Sequence, residues 1–242
     1  MKVVILAGGF GTRISEYTDV IPKPMVEINS KPIIERIINT FTHYDHIEFY
    51  IALGYKSEII KKYFNSNENS KIDYEVLGKK IEINLIDTGL DTMTGGRIKK
   101  IQKFINDETF MVTYGDGVSN INLKKLEEFH SSHKKLVSVT AVRPPARFGA
   151  LELKGEKVIT FKEKQLDEGW INGGFFIMNS GIFDYIKDDN TILEKEPLEQ
   201  IAFADELRAY KHNGFWQCMD TKRDRDILEK EALKGSDDPW QK

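Results

Sequence analysis

The first half of the chain alternates short apolar runs with segments whose apolar residues recur at helical spacing. The apolar runs, which are typical of buried strands, cover residues 2–6, 47–53, 81–86 and 110–114. The helical segments lie between them, at residues 32–41, 57–64 and 96–105. Alternating strands and helices form a parallel sheet with helices on both faces. The pattern therefore predicts an α/β fold with a mostly parallel, Rossmann-like central sheet.

The second half of the chain is richer in strand-like segments separated by short polar breaks. These segments cover residues 136–142, 150–153, 157–162 and 170–179, and helices are predicted at 180–186, 197–205 and 223–233. We therefore expect a small β-rich annex in this half. Because no linker or internal repeat interrupts the sequence, we predict a single domain over residues 1–242, with halves at 1–135 and 136–242.

A glycine-rich turn, GGFGTR at residues 8–13, directly follows the first predicted strand, and a lysine flanked by prolines follows at residues 22–24. Glycines let backbone N–H groups approach phosphate oxygens, and Arg13 and Lys23 supply positive charge. The turn is not a dinucleotide-binding fingerprint, because Ile14 stands where its third glycine is required, and it lacks the Gly-Lys-Ser/Thr ending of a Walker loop. Phosphate binding and an ordinary strand-to-helix turn both remain open at this point.

Composition excludes several classes of protein. The net charge of −3 gives no general reason to expect nucleic-acid binding, and the single cysteine, Cys218, fits a reducing compartment and is expected to be a small buried residue. No apolar run is long enough for a signal peptide or a transmembrane helix, so we expect a soluble cytoplasmic protein without a membrane partner.

Two histidine pairs have a spacing that could bind a metal, His43 with His46 and His130 with His133. Because no cysteine or acidic residue completes either pair, we expect all four to be exposed at helix ends.

A series of short motifs resembles the signatures of sugar-1-phosphate nucleotidyltransferases, in particular the glucose-1-phosphate cytidylyltransferase type. The motifs occur in order and cover nearly the whole chain, at residues 8–13, 22–26, 87–89, 93–97, 114–117, 147–151, 161–164, 171–176, 196–198 and 219–221. Several motifs in the same order are more specific than any one of them. The resemblance favours phosphate binding by the glycine-rich turn and implies a nucleotidyltransferase fold of the glycosyltransferase-A-like kind.

The resemblance also implies a reaction and a set of site residues. A hexose 1-phosphate, with glucose 1-phosphate as the expected acceptor, attacks the α-phosphate of CTP and releases pyrophosphate, with Mg²⁺ as cofactor. The implied nucleotide-binding residues are Leu6, Ala7, Gly8, Gly9, Phe10, Gly11, Thr12, Arg13, Lys23, Thr92, Arg97 and Gly115. The implied sugar-phosphate residues are Gly149, Lys164, Asn172 and Gly173, and the implied metal ligands are Asp116 and Asp220. Residues 1–135 would then be the nucleotide-binding half and residues 136–242 the sugar-phosphate half.

The attacking phosphate oxygen is already charged at neutral pH, so this reaction needs charge neutralisation and alignment rather than a general base. Arg13 is expected to hold the β- and γ-phosphates, and Lys23 to neutralise the α-phosphate. Four of the implied site residues also have a purely structural interpretation. Arg13 and Arg97 could be solvated arginines, and Asp116 and Asp220 could be capping or turn residues.

Three departures from the family pattern leave the acceptor and the oligomeric state open. Ile21 stands where the family usually has a lysine, Gln165 stands where it usually has a proline, and the region 65–86 is shorter. The resemblance implies a homo-oligomer. The alternatives are the same reaction with another nucleotide or phosphate acceptor, and a regulatory protein that binds nucleotide sugars without catalysis.

Overall fold

The structure, a computed structural model, describes residues 1–66, 71–144, 150–162 and 169–234. The strands of this part of the chain are β1 (Val3–Ala7), β2 (Glu27–Ile28), β3 (Lys31–Pro32), β4 (Glu48–Leu53), β5 (Lys71–Val76), β6 (Lys79–Asp87), β7 (Phe110–Tyr114), β8 (Gly117–Ser119), β9 (Val137–Val142), β10 (Ala150–Lys154), β11 (Lys157–Lys162), β12 (Ile171–Met178), β13 (Leu207–Lys211) and β14 (Trp216–Cys218). The α-helices are α1 (Ser15–Thr18), α2 (Ile33–His43), α3 (Ser57–Tyr63), α4 (Thr94–Ile105), α5 (Leu123–His133), α6 (Glu196–Phe203) and α7 (Lys222–Ala232). Short 3₁₀ helices cover Thr12–Ile14, Lys23–Met25 and Ser180–Tyr185.

Eight of these strands form one sheet in the order β13-β9-β12-β7-β1-β4-β6-β5. The pairs β1–β4, β1–β7, β4–β6 and β9–β13 are parallel, whereas β12 pairs antiparallel with both of its neighbours and β5 with β6. The mostly parallel sheet predicted from the sequence is therefore confirmed. The sheet also crosses the boundary between the two predicted halves, because β12 lies between β9 and β7.

Each face of the sheet is covered by helices, because alternate residues of the central strands point to opposite faces. Val3 and Ile5 of β1 pack with α2, α5 and α7 in one apolar cluster. Val4 and Leu6 pack on the other face with α4, α6 and the 3₁₀ helix Ser180–Tyr185. The strands next to β1 are buried on both faces, and this burial explains why they appear in the sequence as uninterrupted apolar runs.

The predicted elements are confirmed with small shifts at their ends. Helix α4 begins at Thr94 rather than at residue 96, and α3 ends at Tyr63 rather than at residue 64. The structure adds α5, the edge strands β5 and β13, and the short pairs β2–β3 and β8–β14. Of the four strand-like segments of the second half, 136–142 and 170–179 join the main sheet as β9 and β12, so the predicted β-rich annex is smaller than expected and consists of the antiparallel hairpin of β10 and β11. Within the described ranges, no helix is long and apolar enough to cross a membrane.

Candidate active site

The glycine-rich turn and Asp116 lie at the same edge of the sheet. Strands β1 and β7 are parallel neighbours with Leu6 opposite Tyr114, so their carboxyl ends meet at this edge. The backbone N–H of Gly115 donates to the Leu6 carbonyl at 2.9 Å. Gly11 has a φ of 67°, a left-handed conformation that favours glycine, and its carbonyl accepts from the N–H of Ile14 as the chain enters the first 3₁₀ helix.

A cleft of about 710 Å³ opens at this edge. Its volume is within the range of small-molecule sites. It is lined by every predicted site residue within the described part of the chain: Leu6, Ala7, Gly8, Gly9, Phe10, Gly11, Thr12, Arg13, Lys23, Thr92, Arg97, Gly115, Asp116, Asn172, Gly173 and Asp220. The predicted sugar-phosphate residues Gly149 and Lys164 fall outside the described residues. The fold thus brings together residues from both halves of the sequence, while the ligand assigned to each stays a prediction.

Four charged side chains form a connected cluster beside the glycine-rich turn. The Lys23 ammonium donates to Asp116 Oδ2 at 2.6 Å and to Asp220 Oδ1 at 2.7 Å. The other carboxylate oxygen of Asp220, Oδ2, accepts from Arg13 Nη1 at 2.6 Å. The Lys23 side chain is only 10% exposed, whereas that of Arg13 is 72% exposed. Lys23 is therefore fixed inside the cleft, and Arg13 extends over its rim.

Lys23 and Asp220 shift each other's pKa in opposite directions. Burial by itself would lower the pKa of Lys23, but the attraction and hydrogen bonds of Asp116 and Asp220 outweigh burial and raise it above its ordinary value. For Asp220, burial alone would raise the pKa, but the hydrogen bond and charge of Lys23 outweigh it and lower the pKa. The ammonium and the Asp220 carboxylate thus favour each other's charged forms.

The two aspartates come from distant parts of the sequence, and a short strand pair joins them. Strand β14 pairs antiparallel with β8, which places Cys218 opposite Gly117. The backbone N–H of Met219 then donates to the Asp116 carbonyl at 2.8 Å. Lys23 reaches the same place from its own 3₁₀ helix, whose entry is restricted by Pro22 and Pro24.

Arg97 is buried at the floor of the cleft, with 4% of its surface exposed, so the solvated alternative is wrong. Its guanidinium donates to the carbonyls of Gly8, Leu53, Gly89 and Leu90, at distances of 2.8 to 3.1 Å. Gly8 follows β1, Leu53 ends β4, and Gly89 and Leu90 follow β6. Arg97 therefore ties the glycine-rich turn to the two neighbouring loops at the sheet edge.

Thr92 lies in the loop before α4 and is 7% exposed. Its hydroxyl accepts a hydrogen bond from Lys100 Nζ at 3.2 Å, and Lys100 also forms an ion pair with Asp189 at 2.6 Å. The Met93 side chain next to it is 44% exposed and lines the cleft. Met93 therefore gives this loop an apolar surface that suits a nucleobase, whereas the Thr92 hydroxyl is already bonded to Lys100.

A hydrogen-bonded chain crosses the opposite side of the cleft. The Asn172 amide donates to the Tyr114 hydroxyl at 3.0 Å, and this hydroxyl donates to Glu194 Oε1 at 2.5 Å. Glu194 Oε2 accepts from the Thr94 hydroxyl at 2.7 Å. Burial and the neighbouring Glu194 carboxylate raise the pKa of Tyr114, so its hydroxyl keeps its proton. Gly174 makes room for the tyrosine, because a Cβ there would lie 2.5 Å from the ring.

Tyr114 and Glu194 were missed as site residues by the sequence reasoning, whereas Thr94 lies in the motif 93–97 that the resemblance had marked. Tyr114 stands directly before Gly115 and Asp116, and this position at the end of a strand was a usable signal. Glu194 lies in a loop that only the folded chain brings to the cleft, so no local pattern in the sequence marks it.

The donor set of the cleft fits a hard divalent cation. Oxygen atoms of Asp116 and Asp220 lie within 2.7 Å of one nitrogen, so the two carboxylates face a common point. Mg²⁺ is commonly bound by one or two carboxylates, with phosphate oxygens and water completing its shell. Within the described ranges, no group of three or more histidine, cysteine or acidic side chains is arranged to hold a metal. A cation here would therefore depend on the bound phosphates.

Several expectations need correction. His46 and His130 are 4% and 6% exposed, so the prediction that they are exposed at helix ends is wrong. His46 lies beyond the end of α2 and packs edge-on against Phe41, and His130 is on the inner face of α5. Cys218 is half-buried rather than buried, because it lines the cleft. Burial raises the pKa of its thiol to about 12.

The sequence profile of the family described as "Nucleotidyl transferase" matches residues 2–222. The glucose-1-phosphate cytidylyltransferase of Salmonella typhimurium is 44% identical to the chain, in an alignment that covers 99% of the chain and 98% of that protein. A probable glucose-1-phosphate cytidylyltransferase of Bacillus subtilis is 43% identical and covers 91% of the chain and 92% of its own length.

Among solved structures, HddC from Yersinia pseudotuberculosis, complexed with GMP-PN, superposes with a TM-score of 0.71. It is 24% identical and covers 95% of the chain and 98% of its own length, so this likeness concerns the fold alone. The family profile covers most of the chain, and the identity of 44% extends over nearly its full length. The chain therefore belongs to the Nucleotidyl transferase family.

Proposed function

We propose that the protein transfers the cytidylyl group of CTP to glucose 1-phosphate, producing CDP-glucose and pyrophosphate with Mg²⁺ as cofactor. One observation carries the proposal: Lys23 joins Asp116 and Asp220 in a single charged cluster beside the glycine-rich turn. A site that only bound a nucleotide sugar would not need a buried ammonium between two carboxylates at the phosphate position. The 44% identity to a glucose-1-phosphate cytidylyltransferase supports the choice of nucleotide and acceptor.

The reaction requires no proton transfer by the protein. An oxygen of the sugar phosphate forms a bond to the α-phosphorus of CTP, and the bond from that phosphorus to the bridging oxygen of the β-phosphate breaks. Because the attacking oxygen carries its own negative charge, the main task of the site is to neutralise and align phosphates. Backbone N–H groups of the glycine-rich turn, the Lys23 ammonium and the Arg13 guanidinium are the donors for this task.

Lys23 and Arg13 have different roles in this proposal. Lys23 is buried and held by two carboxylates, so it is suited to stabilise the charge that builds up on the α-phosphate. Arg13 is exposed at the rim, where it can turn from Asp220 towards the β- and γ-phosphates. A guanidinium can bind two phosphate oxygens at once, and this geometry suits the departing pyrophosphate.

Members of this family generally use a divalent metal, and we propose Mg²⁺ with Asp116 and Asp220 as its protein ligands. When bound, the cation neutralises charge on the phosphate oxygens. In the structure both carboxylates are paired with Lys23, so the lysine would turn from them towards the α-phosphate in the loaded site.

On the acceptor side, we propose that Asn172 and Gly173 contact the sugar phosphate. The Asn172 amide is oriented from two directions, because its Oδ1 accepts from the Gly174 N–H at 2.8 Å while its Nδ2 donates to Tyr114. The second N–H of the same amide is then available for a hydroxyl or phosphate oxygen of the substrate.

A substrate panel tests the proposal. Four nucleoside triphosphates are combined with glucose, mannose and galactose 1-phosphates, and pyrophosphate release is measured with and without Mg²⁺. We expect the highest kcat/KM for CTP with glucose 1-phosphate, and no release once the metal is chelated. The best rate with another pair would replace the proposed substrates, and no release from any pair would favour the non-catalytic alternative.

We also propose a homo-oligomer in the cytoplasm. On the β10–β11 hairpin, Leu153, Val158 and Phe161 are 58%, 48% and 64% exposed, an apolar surface that a second subunit could cover. Nucleotide substrates and a single cysteine fit a reducing compartment. Light scattering of the purified protein tests the assembly, and a monomeric mass at micromolar concentration would contradict it.

A further inference from the structure

Asp224 is a buried carboxylate next to the cleft for which neither the sequence pattern nor the proposed reaction gives a role. It lies in the first turn of α7 and is 4% exposed. A buried carboxylate is costly unless hydrogen bonds compensate for the water it has lost. Its bonds therefore indicate what it holds in place.

Part of its bonding is a helix cap. The Thr221 hydroxyl accepts from the Asp224 N–H at 3.2 Å, and the Thr221 N–H donates to Asp224 Oδ2 at 2.9 Å. These reciprocal bonds form a capping box at the start of α7. A capping box involves Thr221 and Asp224 only, so it does not account for the other partners of the carboxylate.

Asp224 accepts two further hydrogen bonds, one from Asp220 itself and one from a residue before it. Asp224 Oδ2 also accepts from the backbone N–H of Asp220 at 3.2 Å, and Oδ1 accepts from the Gln217 side-chain amide at 3.2 Å. Gln217 is itself 4% exposed and lies in β14, directly before the turn. The Asp224 carboxylate thus holds the chain by hydrogen bonds on both sides of Asp220. The Met219 N–H in the same turn donates to the Asp116 carbonyl.

We propose that Asp224 is a positioning residue that holds the Asp220 backbone so that the carboxylates of Asp116 and Asp220 face one cation. The proposal rests on the proposed function, in which these two aspartates are the metal ligands. Residues that hydrogen-bond to metal ligands and orient them typically change the metal affinity 10- to 100-fold when they are substituted. Mg²⁺ is especially demanding, because it requires near-ideal octahedral geometry.

The test measures Mn²⁺ binding in the presence of CTP, by the electron paramagnetic resonance signal of the free ion. Asp224→Ala is expected to raise the Kd for Mn²⁺ about 10- to 100-fold. Asp224→Asn keeps an oxygen that can accept from the Asp220 and Thr221 N–H groups, so it is expected to restore binding to within about threefold of wild type. Asp224→Glu moves the carboxylate by one methylene at constant charge, and it tests the same geometry if the alanine variant does not fold.

Thr221→Ala is the matched control. It removes the hydroxyl that caps the same helix and that also donates to Asp224 Oδ2 at 2.8 Å, but it leaves the bonds from the Asp220 and Thr221 N–H groups to that oxygen and from the Gln217 amide to Oδ1. We expect it to lower the Tm by a few degrees, as loss of a cap does, while the Kd for Mn²⁺ changes by less than about threefold.

The outcomes separate this proposal from the proposed function. If Asp220→Ala loses Mn²⁺ while the alanine and glutamate variants of Asp224 retain it, Asp224 is only a helix cap and the proposal is overturned. If wild type does not bind Mn²⁺, or Asp220→Ala binds it equally well, the metal assignment itself fails and this proposal fails with it. Weaker binding in Asp224→Ala with recovery in Asp224→Asn supports the proposal.

Discussion

Lys23 is the buried, charged residue on which the proposed chemistry depends most. Its ammonium lies between two carboxylates inside the cleft, where charge stabilisation is stronger than in water. We expect Lys23→Ala to lower kcat by roughly a hundredfold or more. Steady-state pyrophosphate release measures the effect. Circular dichroism is the control for folding, and a folded Lys23→Ala protein within threefold of the wild-type rate would contradict the assigned role.

At the same scale, Tyr114 should affect the binding of the sugar-phosphate acceptor rather than the binding of the nucleotide. Its hydroxyl accepts from Asn172 and donates to Glu194, so Tyr114→Phe frees the amide and removes a hydrogen-bond donor from the carboxylate. Losing such a bond costs about 1 kcal/mol, which corresponds to roughly a fivefold increase in the KM for glucose 1-phosphate. The KM for CTP should stay unchanged. Equal increases in both KM values would mean that the tyrosine supports the cleft as a whole.

At the scale of elements, the glycine-rich turn depends on the guanidinium beneath it. An alanine Cβ at Gly8 would lie 2.2 Å from Arg97 Nη1, and Arg97 cannot move without releasing the carbonyls of Leu53, Gly89 and Leu90. At Gly9 a Cβ would meet nothing within 4 Å. We expect Gly8→Ala to lower the free energy of unfolding by about 1–3 kcal/mol, and Gly9→Ala to change it by less than about 1 kcal/mol.

Urea unfolding of the ligand-free variants tests this difference, because it does not depend on how either substitution affects the bound phosphates. Equal stabilities of the two variants would show that Arg97 can move away from the turn at little cost.

The contact of α5 with β9 should make stability depend on pH. The ring nitrogens of His130 lie 2.8 Å from Ser138 Oγ and 3.3 Å from Asn179 Oδ1, and burial lowers the pKa of this histidine. The unfolded chain then binds a proton at higher pH than the folded chain, so stability is full above about pH 6.5 and falls as the pH decreases below it. The pKa of His133 is lowered as well. This ring contacts the Ser138 hydroxyl too and lies near Lys135, Glu206 and Arg208.

We expect wild type to lose more of its free energy of unfolding between pH 7 and pH 5 than His130→Gln does. Urea unfolding at both pH values measures the two losses. Identical losses would show that other groups determine the acid sensitivity.

The elements that the sequence predicted are those that bury a continuous apolar run or one apolar helix face. The edge strands β5 and β13 were missed because an edge strand pairs on one side only and keeps polar residues, such as Arg208 and Lys211 in β13. Helix α5 was missed although its signals were present. Asn122 caps it by accepting from the Lys125 N–H at 2.9 Å, and Leu123 and Leu126 follow at helical spacing.

At the scale of the whole molecule, the cleft is assembled from both halves of the sequence. The pairing of β12 with β7 brings Asn172 to Tyr114 in the cleft, and the pairing of β14 with β8 brings Asp220 to Asp116. Motif order could predict which described residues line the cleft, because the resemblance names them one by one, whereas their roles stay predictions. Motif order could not predict that Glu194 bonds to Tyr114 in the cleft or that Asp224 bonds to the Asp220 backbone. These bonds depend on how the folded chain places the segments relative to one another.

The central claim is that an oxygen of the sugar phosphate attacks the α-phosphorus of CTP, and an isotope experiment tests it most directly. Glucose 1-phosphate labelled with ¹⁸O in its phosphate group is incubated with CTP and Mg²⁺, and the products are analysed by mass spectrometry. The account predicts CDP-glucose that retains every labelled oxygen, together with unlabelled pyrophosphate. Labelled pyrophosphate, or CMP and free glucose 1-phosphate in place of CDP-glucose, would contradict it.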